Sequence, residues 1–384
     1  MSQRSRNLLK TLLPIPVIAA LAAALLLVGC GPQAPGSSAA TSAVSAAATT
    51  IRVHHPATSM YLRGDGAGLS WSHGARMSGS DPWVVSVTIS QRLQFKPLAG
   101  DRSWSHGPNY AVDPGATVDI WPRFGGDAGH VQRIDQWWSN GLQDNRPLWV
   151  YYPPSYDEQP AERFPVVYMH DGQNLFDASY SFGGVTWDVQ GAMDRGAADG
   201  SIREAIVIGV GNTANRIWEY TPSEGGGYGG GGASQYVQFL TDELKPQVDR
   251  LWRTSSDRLD TAIVGSSLGG LLSACAGVWR PDVFGLVGEL SPSTWWDNTL
   301  VIGLVRGSQS SSVKPARVYV DSGDSGQDND DVINTGNLAQ AYRDVGWIQV
   351  QHVIGNGDTH TESSWARRLP GAMTFLLGPR ASLP

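Results

Sequence analysis

Ser267 is the central residue of Gly265-Ser266-Ser267-Leu268-Gly269, directly after the apolar run Thr261-Ala262-Ile263-Val264 and directly before the small-residue stretch 270–279. A serine hydroxyl is a weak nucleophile until a tight strand-to-helix turn holds it clear of the chain and a base takes its proton; flanking glycines let the backbone of such a turn come close. A glycine-serine turn without chemistry is the alternative. The buried strand pattern before the motif and the helical pattern after it favour the nucleophile elbow.

Such a serine needs a histidine to accept the Oγ proton and a carboxylate to orient that histidine, and when the nucleophile stands on an elbow of this kind both follow it in the chain. Only His352 and His360 do so. His352 falls inside the strand-like run 348–354. His360 lies in the polar loop Gly357-Asp358-Thr359-His360-Thr361-Glu362 ahead of a helical stretch, the better seat for a base. The acid has too many candidates, since Asp321, Asp324, Asp328, Asp330 and Asp331 share one loop. Asp321, at the end of a strand, reads as structural. Asp330, just before the helical run 332–344, is the first choice, with Asp328 and Asp324 still open. Asp and Asn at alternate positions also suit a cation such as calcium, which stays the rival reading of this loop; no glutamate follows at EF-hand spacing, so a metal is not the first expectation, and no cofactor is expected.

Developing negative charge on an ester oxygen requires aimed N–H donors. The backbone N–H of Leu268 follows the nucleophile directly, and that of Gln173, after Gly172, comes from the loop behind an earlier strand. His170 and Asp171 precede the serine and read as shaping that loop. His170, Arg216, Trp295 and Trp296 are the candidates for touching substrate, although the two tryptophans also suit packing beneath the elbow. The glycine-rich run 224–234 reads as a lip over the cleft or as a solvent loop.

The elements that must position these groups follow from periodicity. Residues 131–138 and 147–152 read as an antiparallel edge pair. The continuous apolar runs 164–169, 205–211, 284–290, 316–320 and 348–354, together with the run before the elbow, read as a buried parallel sheet. Helical stretches at 187–197, 233–251 and 332–344 alternate with them. About 250 residues from 130 to 384 suffice for one α/β domain. Ahead of it, short apolar bursts separated by Gly, Asp, Pro and Ser between residues 51 and 125 read as an all-β sandwich. Residues 30–50 are Ala, Ser, Thr, Pro and Gly with little else and read as a flexible tether.

Arg4, Arg6 and Lys10 precede the apolar stretch 12–28, which ends Leu27-Val28-Gly29-Cys30-Gly31. This resembles a bacterial lipoprotein signal, which implies cleavage after residue 29, lipid on Cys30, a membrane attachment through that lipid and a cell-envelope address, on the outer membrane where one exists. An uncleaved membrane anchor is the alternative. Removal of residues 1–29 deletes three cations and no anions, so the mature chain is more acidic than the full chain at −7. That balance argues against nucleic acid as a partner. Cys275 is then left without a partner for a disulfide, and its alanine neighbours suit a packed core thiol.

Four ordered motifs carry a family resemblance: Val166-Val167-Tyr168-Met169-His170-Asp171-Gly172-Gln173-Asn174-Leu175-Phe176, then Gly265-Ser266-Ser267-Leu268-Gly269-Gly270, then Ser291-Pro292-Ser293-Thr294-Trp295-Trp296, then Gly357-Asp358-Thr359-His360 with Trp365. Over residues 131–380 the chain resembles the putative-esterase family of α/β-hydrolases, which includes esterase D-like, feruloyl, acetyl xylan and enterochelin esterases. The resemblance implies an α/β-hydrolase fold and carboxylic ester hydrolysis through an acyl-enzyme, with Ser267 and His360 matching directly. The family's short acid loop is expanded here. The first module is similar to the immunoglobulin-like or starch-binding-like modules that precede such esterases. Trp71, Trp104 and Tyr110 then suit either a sugar platform or a core. The expected function is a lipid-anchored serine esterase acting on short-acyl or sugar-linked acyl or aryl esters. A surface carbohydrate-binding lipoprotein with a silent hydrolase domain is the competing reading.

Overall fold

The computed structural model describes residues 46–379 except Gly226 and Ile348. The expected signal peptide, most of the tether and the lipidation site Cys30 lie outside the described residues. The last tether residues differ from expectation. Ala47–Val53 form strand β1, with Thr50 opposite Ser86 and Ile51 opposite Val85. Composition marks Ala and Thr as linker-like, but threonine is β-branched and pairs readily once a partner strand is available.

Eight further short strands complete this region: β2 (Met60–Gly64), β3 (Ala75–Arg76), β4 (Ser78–Gly79), β5 (Trp83–Ile89), β6 (Leu93–Ala99), β7 (Ser103–Trp104), β8 (Tyr110–Val112) and β9 (Thr117–Ile120). They form one sheet in the order β4-β5-β1-β9 and a second in the order β3-β2-β6-β7, with β8 also on β6. Alternation does the work: Ile51, Val53, Met60, Leu62, Trp83, Leu93 and Phe95 all point into one core.

The remaining strands build an eight-stranded sheet. They are β10 (His130–Ser139), β11 (Asp144–Tyr152), β12 (Val166–Met169), β13 (Ile206–Val210), β14 (Thr261–Ser267), β15 (Leu286–Pro292), β16 (Arg317–Gly323) and β17 (Gln349–Gly355), in the order β10-β11-β13-β12-β14-β15-β16-β17. The β10–β11 and β11–β13 pairs are antiparallel and all later pairs are parallel. Helices cover both faces, so the central strands are apolar throughout; β12 and β13 are buried at every position. On one face α1 (Val189–Asp199) and α8 (Glu362–Leu377) pack through Met193, Leu369, Met373 and Leu376. On the other lie α3 (Ala233–Gln238), α4 (Lys245–Leu251), α5 (Leu268–Trp279), α6 (Trp296–Gly307) and α7 (Val332–Asp344). The short α2 (Arg216–Tyr220) precedes α3.

The helix expected over 233–251 is continuous but widens to a π-turn at Phe239–Leu244. Pro246 explains the widening: it lacks an N–H, and its ring crowds the carbonyl one turn back. β16 runs three residues beyond its expected end, which carries Asp321 into the sheet.

Candidate active site

The parallel strands end at one edge, and the residues singled out above converge there. Ser267 closes β14 and caps α5 with φ 57 and ψ −125, a conformation an L-residue adopts only when its surroundings hold it there. The elbow glycines make that turn possible. A Cβ on Gly265 would stand 2.5 Å from the Gly269 carbonyl and 2.7 Å from His170 Cδ2.

Ser267 Oγ lies 2.9 Å from His360 Nε2, and His360 Nδ1 lies 2.6 Å from Asp330 Oδ1. The other Asp330 oxygen accepts from Ser291 Oγ at 2.6 Å and from the Gly323 N–H. Burial alone would raise the Asp330 carboxyl, yet these three donors hold it below its ordinary range. Its reach comes from an unusual turn. Residues 328–331 all carry positive φ between 50 and 55°, a left-handed turn that Asp and Asn tolerate better than other side chains. The Trp365 ring meets His360 edge-on at 5.1 Å and sets the plane of the imidazole.

The neighbouring carboxylates go elsewhere. Asp324 accepts from the Gly357 N–H at 2.7 Å, and Asp331 accepts from Asn334. Asp321 is buried, takes the Ser291 N–H at 3.0 Å and pairs with Arg368. Asp328 lines an open cavity. Of the two histidines after the serine, His352 stands in β17 opposite Val320. Among the described residues no group of His, Cys, Asp or Glu is arranged to hold a metal ion.

On the far side of Ser267, Leu268 opens α5 and Gln173 lies in the short 3₁₀ turn Gly172–Asn174 after β12. N–H groups in such first turns have no intrahelical acceptor and are open to an anion. Gly172 is required for the close approach, since its Cβ would meet the Gly209 carbonyl at 2.6 Å.

Two cavities meet at Ser267. One, about 460 Å³, is walled by Tyr180, Phe182 and Trp365, with Gln173, Asn212, Arg216 and Glu362 among its polar groups. The other, about 510 Å³, is lined by Tyr228, Trp295, Gln327, Asp328, Asp331 and His360, with no lysine or arginine. Arg216 reaches the first cavity as expected, but its Nε and Nη2 form a bidentate pair with buried Asp171 at 2.7 and 2.8 Å. That pair holds the loop bearing Gln173, because Asp171 has φ 54 and would otherwise be a buried unpaired charge.

Two expected substrate contacts are not placed to touch substrate. His170 is buried beneath the elbow against Gly265 and Gly269, without a hydrogen bond to either nitrogen. Burial, assisted by Arg216, pushes it down to about 4, so it is a neutral packing group. Trp296 is also buried: its indole N–H donates to Ser223 O, and its ring fills the space beside Gly225 and Gly230. It anchors the glycine-rich run 224–234, while the half-exposed Trp295 faces the cavity. The reason is directional, since adjacent residues at a helix start point to different sides. Cys275 is fully buried, and burial pushes its thiol up. In the sandwich Trp71 and Trp104 are partly exposed with centroids 6.4 Å apart, whereas Tyr110 stacks on Phe95.

Reading the sequence did not reveal Phe182, Tyr180 or Asn212 as cavity walls, or Arg368 as a partner of the site. None lies in a motif with a chemical signature. Ser291 and Ser293 stood in a quoted motif, but without a role.

Known proteins place the fold and the family. The chain is 26% identical over 254 residues to the uncharacterized protein YbbA of Bacillus subtilis, covering 62% of this chain and 95% of that protein. It is 27% identical over 248 residues to an endo-1,4-beta-xylanase/feruloyl esterase of Xylanibacter ruminicola, covering 63% of this chain but only 30% of that protein. It is 30% identical over 213 residues to the iron(III) enterobactin esterase of Dickeya dadantii, covering 53% and 44%. Among solved structures, the BES protein from Bacillus cereus superposes with a TM-score of 0.53 at 20% identity, over 64% of this chain and 94% of that one. The enterobactin esterase of Shigella flexneri superposes with a TM-score of 0.53 at 16% identity, over 84% of this chain and 88% of that one, a span that must include strands ahead of β10. These two show the fold. The model of the family described as Putative esterase matches residues 139–376, and the chain therefore belongs to that α/β-hydrolase family, whose named relatives here hydrolyse esters.

Proposed function

We propose that the chain is a serine esterase that works through an acyl-enzyme, with Ser267 as nucleophile, His360 as general base and acid, and Asp330 as the orienting acid. The observation that carries this reading is the continuous relay from Ser267 Oγ to His360 at 2.9 Å and on to Asp330 at 2.6 Å. Ser267 Oγ attacks the ester carbonyl while His360 Nε2 takes its proton; Asp330 Oδ1 keeps the other imidazole proton on Nδ1. The oxyanion forms between the N–H groups of Leu268 and Gln173. Collapse releases the alcohol, which receives the proton from His360. Water, deprotonated by His360, then hydrolyses the acyl-serine and restores the site.

The leaving alcohol occupies the cavity lined by His360, because that residue must protonate it. An aromatic wall of Trp295 and Tyr228 with Asp328, Asp331 and Gln327 suits a neutral sugar or polyol, stacked on the ring and donating its hydroxyls to carboxylates. The same acidic lining opposes an anionic ferric catecholate. The other cavity, with Phe182, Tyr180 and Trp365, takes the acyl group. We also propose export and lipid attachment at Cys30, supported by the apolar stretch and small residues before it.

A burst of p-nitrophenol from p-nitrophenyl acetate, and labelling of Ser267 by a fluorophosphonate, are the expected results. Ser267→Ala and His360→Ala abolish both with the fold intact. Full turnover in either variant refutes the assignment. Feruloylated and acetylated oligosaccharides are expected to be hydrolysed faster than ferric catecholate esters, and the reverse order refutes the substrate class. Absence of lipid on the mature terminus in envelope extracts refutes the anchor.

A further inference from the structure

The Ser291-Pro292-Ser293 segment at the end of β15 is not explained by the relay itself, yet it touches both ends of it. Ser293 donates its N–H to the Ser267 carbonyl at 2.9 Å and places its hydroxyl 3.3 Å from Ser267 Oγ. Ser291 is fully buried with φ 40. Its N–H is held by Asp321 at 3.0 Å, its hydroxyl donates to Asp330 Oδ2 at 2.6 Å, and that same hydroxyl accepts from Arg368 Nη2 at 2.8 Å.

Arg368, on α8, is the hub behind this segment. Its Nε pairs with Asp321 at 3.0 Å, its Nη1 with Asp358 at 2.5 Å, and its Nη2 stands 3.9 Å from Asp330 Oδ2. One buried guanidinium thus joins the end of β16, the acid loop and the loop two residues before His360. Three carboxylates share it, so its removal leaves buried negative charges facing one another. A lysine cannot replace it, because a point charge on a flexible stem lacks the planar fork that reaches three partners at once.

We propose that Arg368 and Ser291 are positioning residues for the relay: Arg368 orients the Ser291 hydroxyl, which directs the Asp330 carboxylate at His360, while Ser293 fixes the nucleophile turn from the same strand end. The proposal rests on the assignment of Ser267, His360 and Asp330 above.

A double-mutant cycle on the full-length protein tests it. Steady-state kcat and KM for p-nitrophenyl acetate are measured for wild type, Ser291→Ala, Asp330→Asn and the pair, each rate divided by the concentration of folded protein determined by circular dichroism. Ser291→Ala is expected to lower kcat by roughly tenfold with KM within twofold, and to have no further effect once Asp330 is asparagine. Arg368→Gln and Arg368→Lys are expected to lower kcat per folded protein alike. An undiminished Ser291→Ala effect in the Asp330→Asn background overturns the proposal, as does wild-type kcat per folded protein in Ser291→Ala. Wild-type turnover in Asp330→Asn instead overturns the assignment of the acid, and with it the premise.

Discussion

Replacing Asp330 with asparagine changes one oxygen into an amide and leaves the shape intact, so its consequence can be worked from the donors that surround the carboxylate. Oδ1 faces His360 Nδ1, while Oδ2 receives the Ser291 hydroxyl and the Gly323 N–H. An asparagine has one acceptor oxygen for the two places. If the oxygen serves Gly323, the amide hydrogens face Nδ1, which must then be the bare nitrogen; the proton moves to Nε2 and points at Ser267, and the imidazole cannot act as base. If the oxygen serves His360, the amide opposes the buried Gly323 N–H, donor against donor, at a cost of about 1–3 kcal/mol. The wrong orientation is therefore favoured by roughly one to two powers of ten. The lost negative charge beside the imidazolium adds to this. Together they place the expected loss of kcat at about 10³ to 10⁴, or roughly 4–5 kcal/mol, the scale of the equivalent change in serine proteases. The assay is p-nitrophenyl acetate turnover at neutral pH with Asp328→Asn and Asp324→Asn as controls, both expected within a few-fold of wild type. A loss below tenfold in Asp330→Asn, or an equal loss in Asp328→Asn, refutes the reasoning.

Other perturbations have equally definite outcomes. Glu289 is fully buried on β15 with one oxygen accepting from Tyr342 at 2.6 Å, and burial pushes its carboxyl up to about 8. Between pH 4.5 and 8 the folded state holds a proton that the unfolded state has released, so stability falls as pH rises, by up to about 1.4 kcal/mol per unit. Glu289→Gln is expected to flatten this slope in thermal unfolding at pH 5 and pH 8, and an unchanged slope contradicts the argument. Gly265→Ala places a Cβ 2.5 Å from the Gly269 carbonyl and is expected to lower Tm and abolish fluorophosphonate labelling; normal labelling means the elbow tolerates the methyl. Trp295→Ala is expected to raise KM for a sugar ester roughly three- to tenfold while p-nitrophenyl acetate turnover holds. Trp296→Ala should instead lower stability by about 3–5 kcal/mol, and a reversal of these two phenotypes would contradict their placement.

Much of the fold was legible because parallel strands buried on both faces read as continuous apolar runs, and seven of the eight strands of the large sheet fall within a few residues of their expected places; the eighth, β14, runs on from its apolar start through the elbow to Ser267. Ends were less legible. β16 continues through Asp321 because the carboxylate finds Arg368 and the Ser291 N–H, partners 47 and 30 residues away, which no local pattern reveals. The sandwich was visible as short alternating bursts, but its first strand was hidden in Ala-Thr composition until β5 supplied a partner.

For the site, the amino-acid sequence by itself determined what is local: a serine on a strand-to-helix turn, a histidine in a loop before a helix, a glycine that brings a second N–H close. Each of these is encoded within a handful of adjacent residues. The tertiary structure decided which of five aspartates meets His360, that His170 packs beneath the elbow and Trp296 against the glycine-rich run, and that Arg216 is committed to Asp171. Those outcomes depend on side-chain direction at a left-handed turn and on partners tens of residues apart, and spacing along the chain carries no record of either.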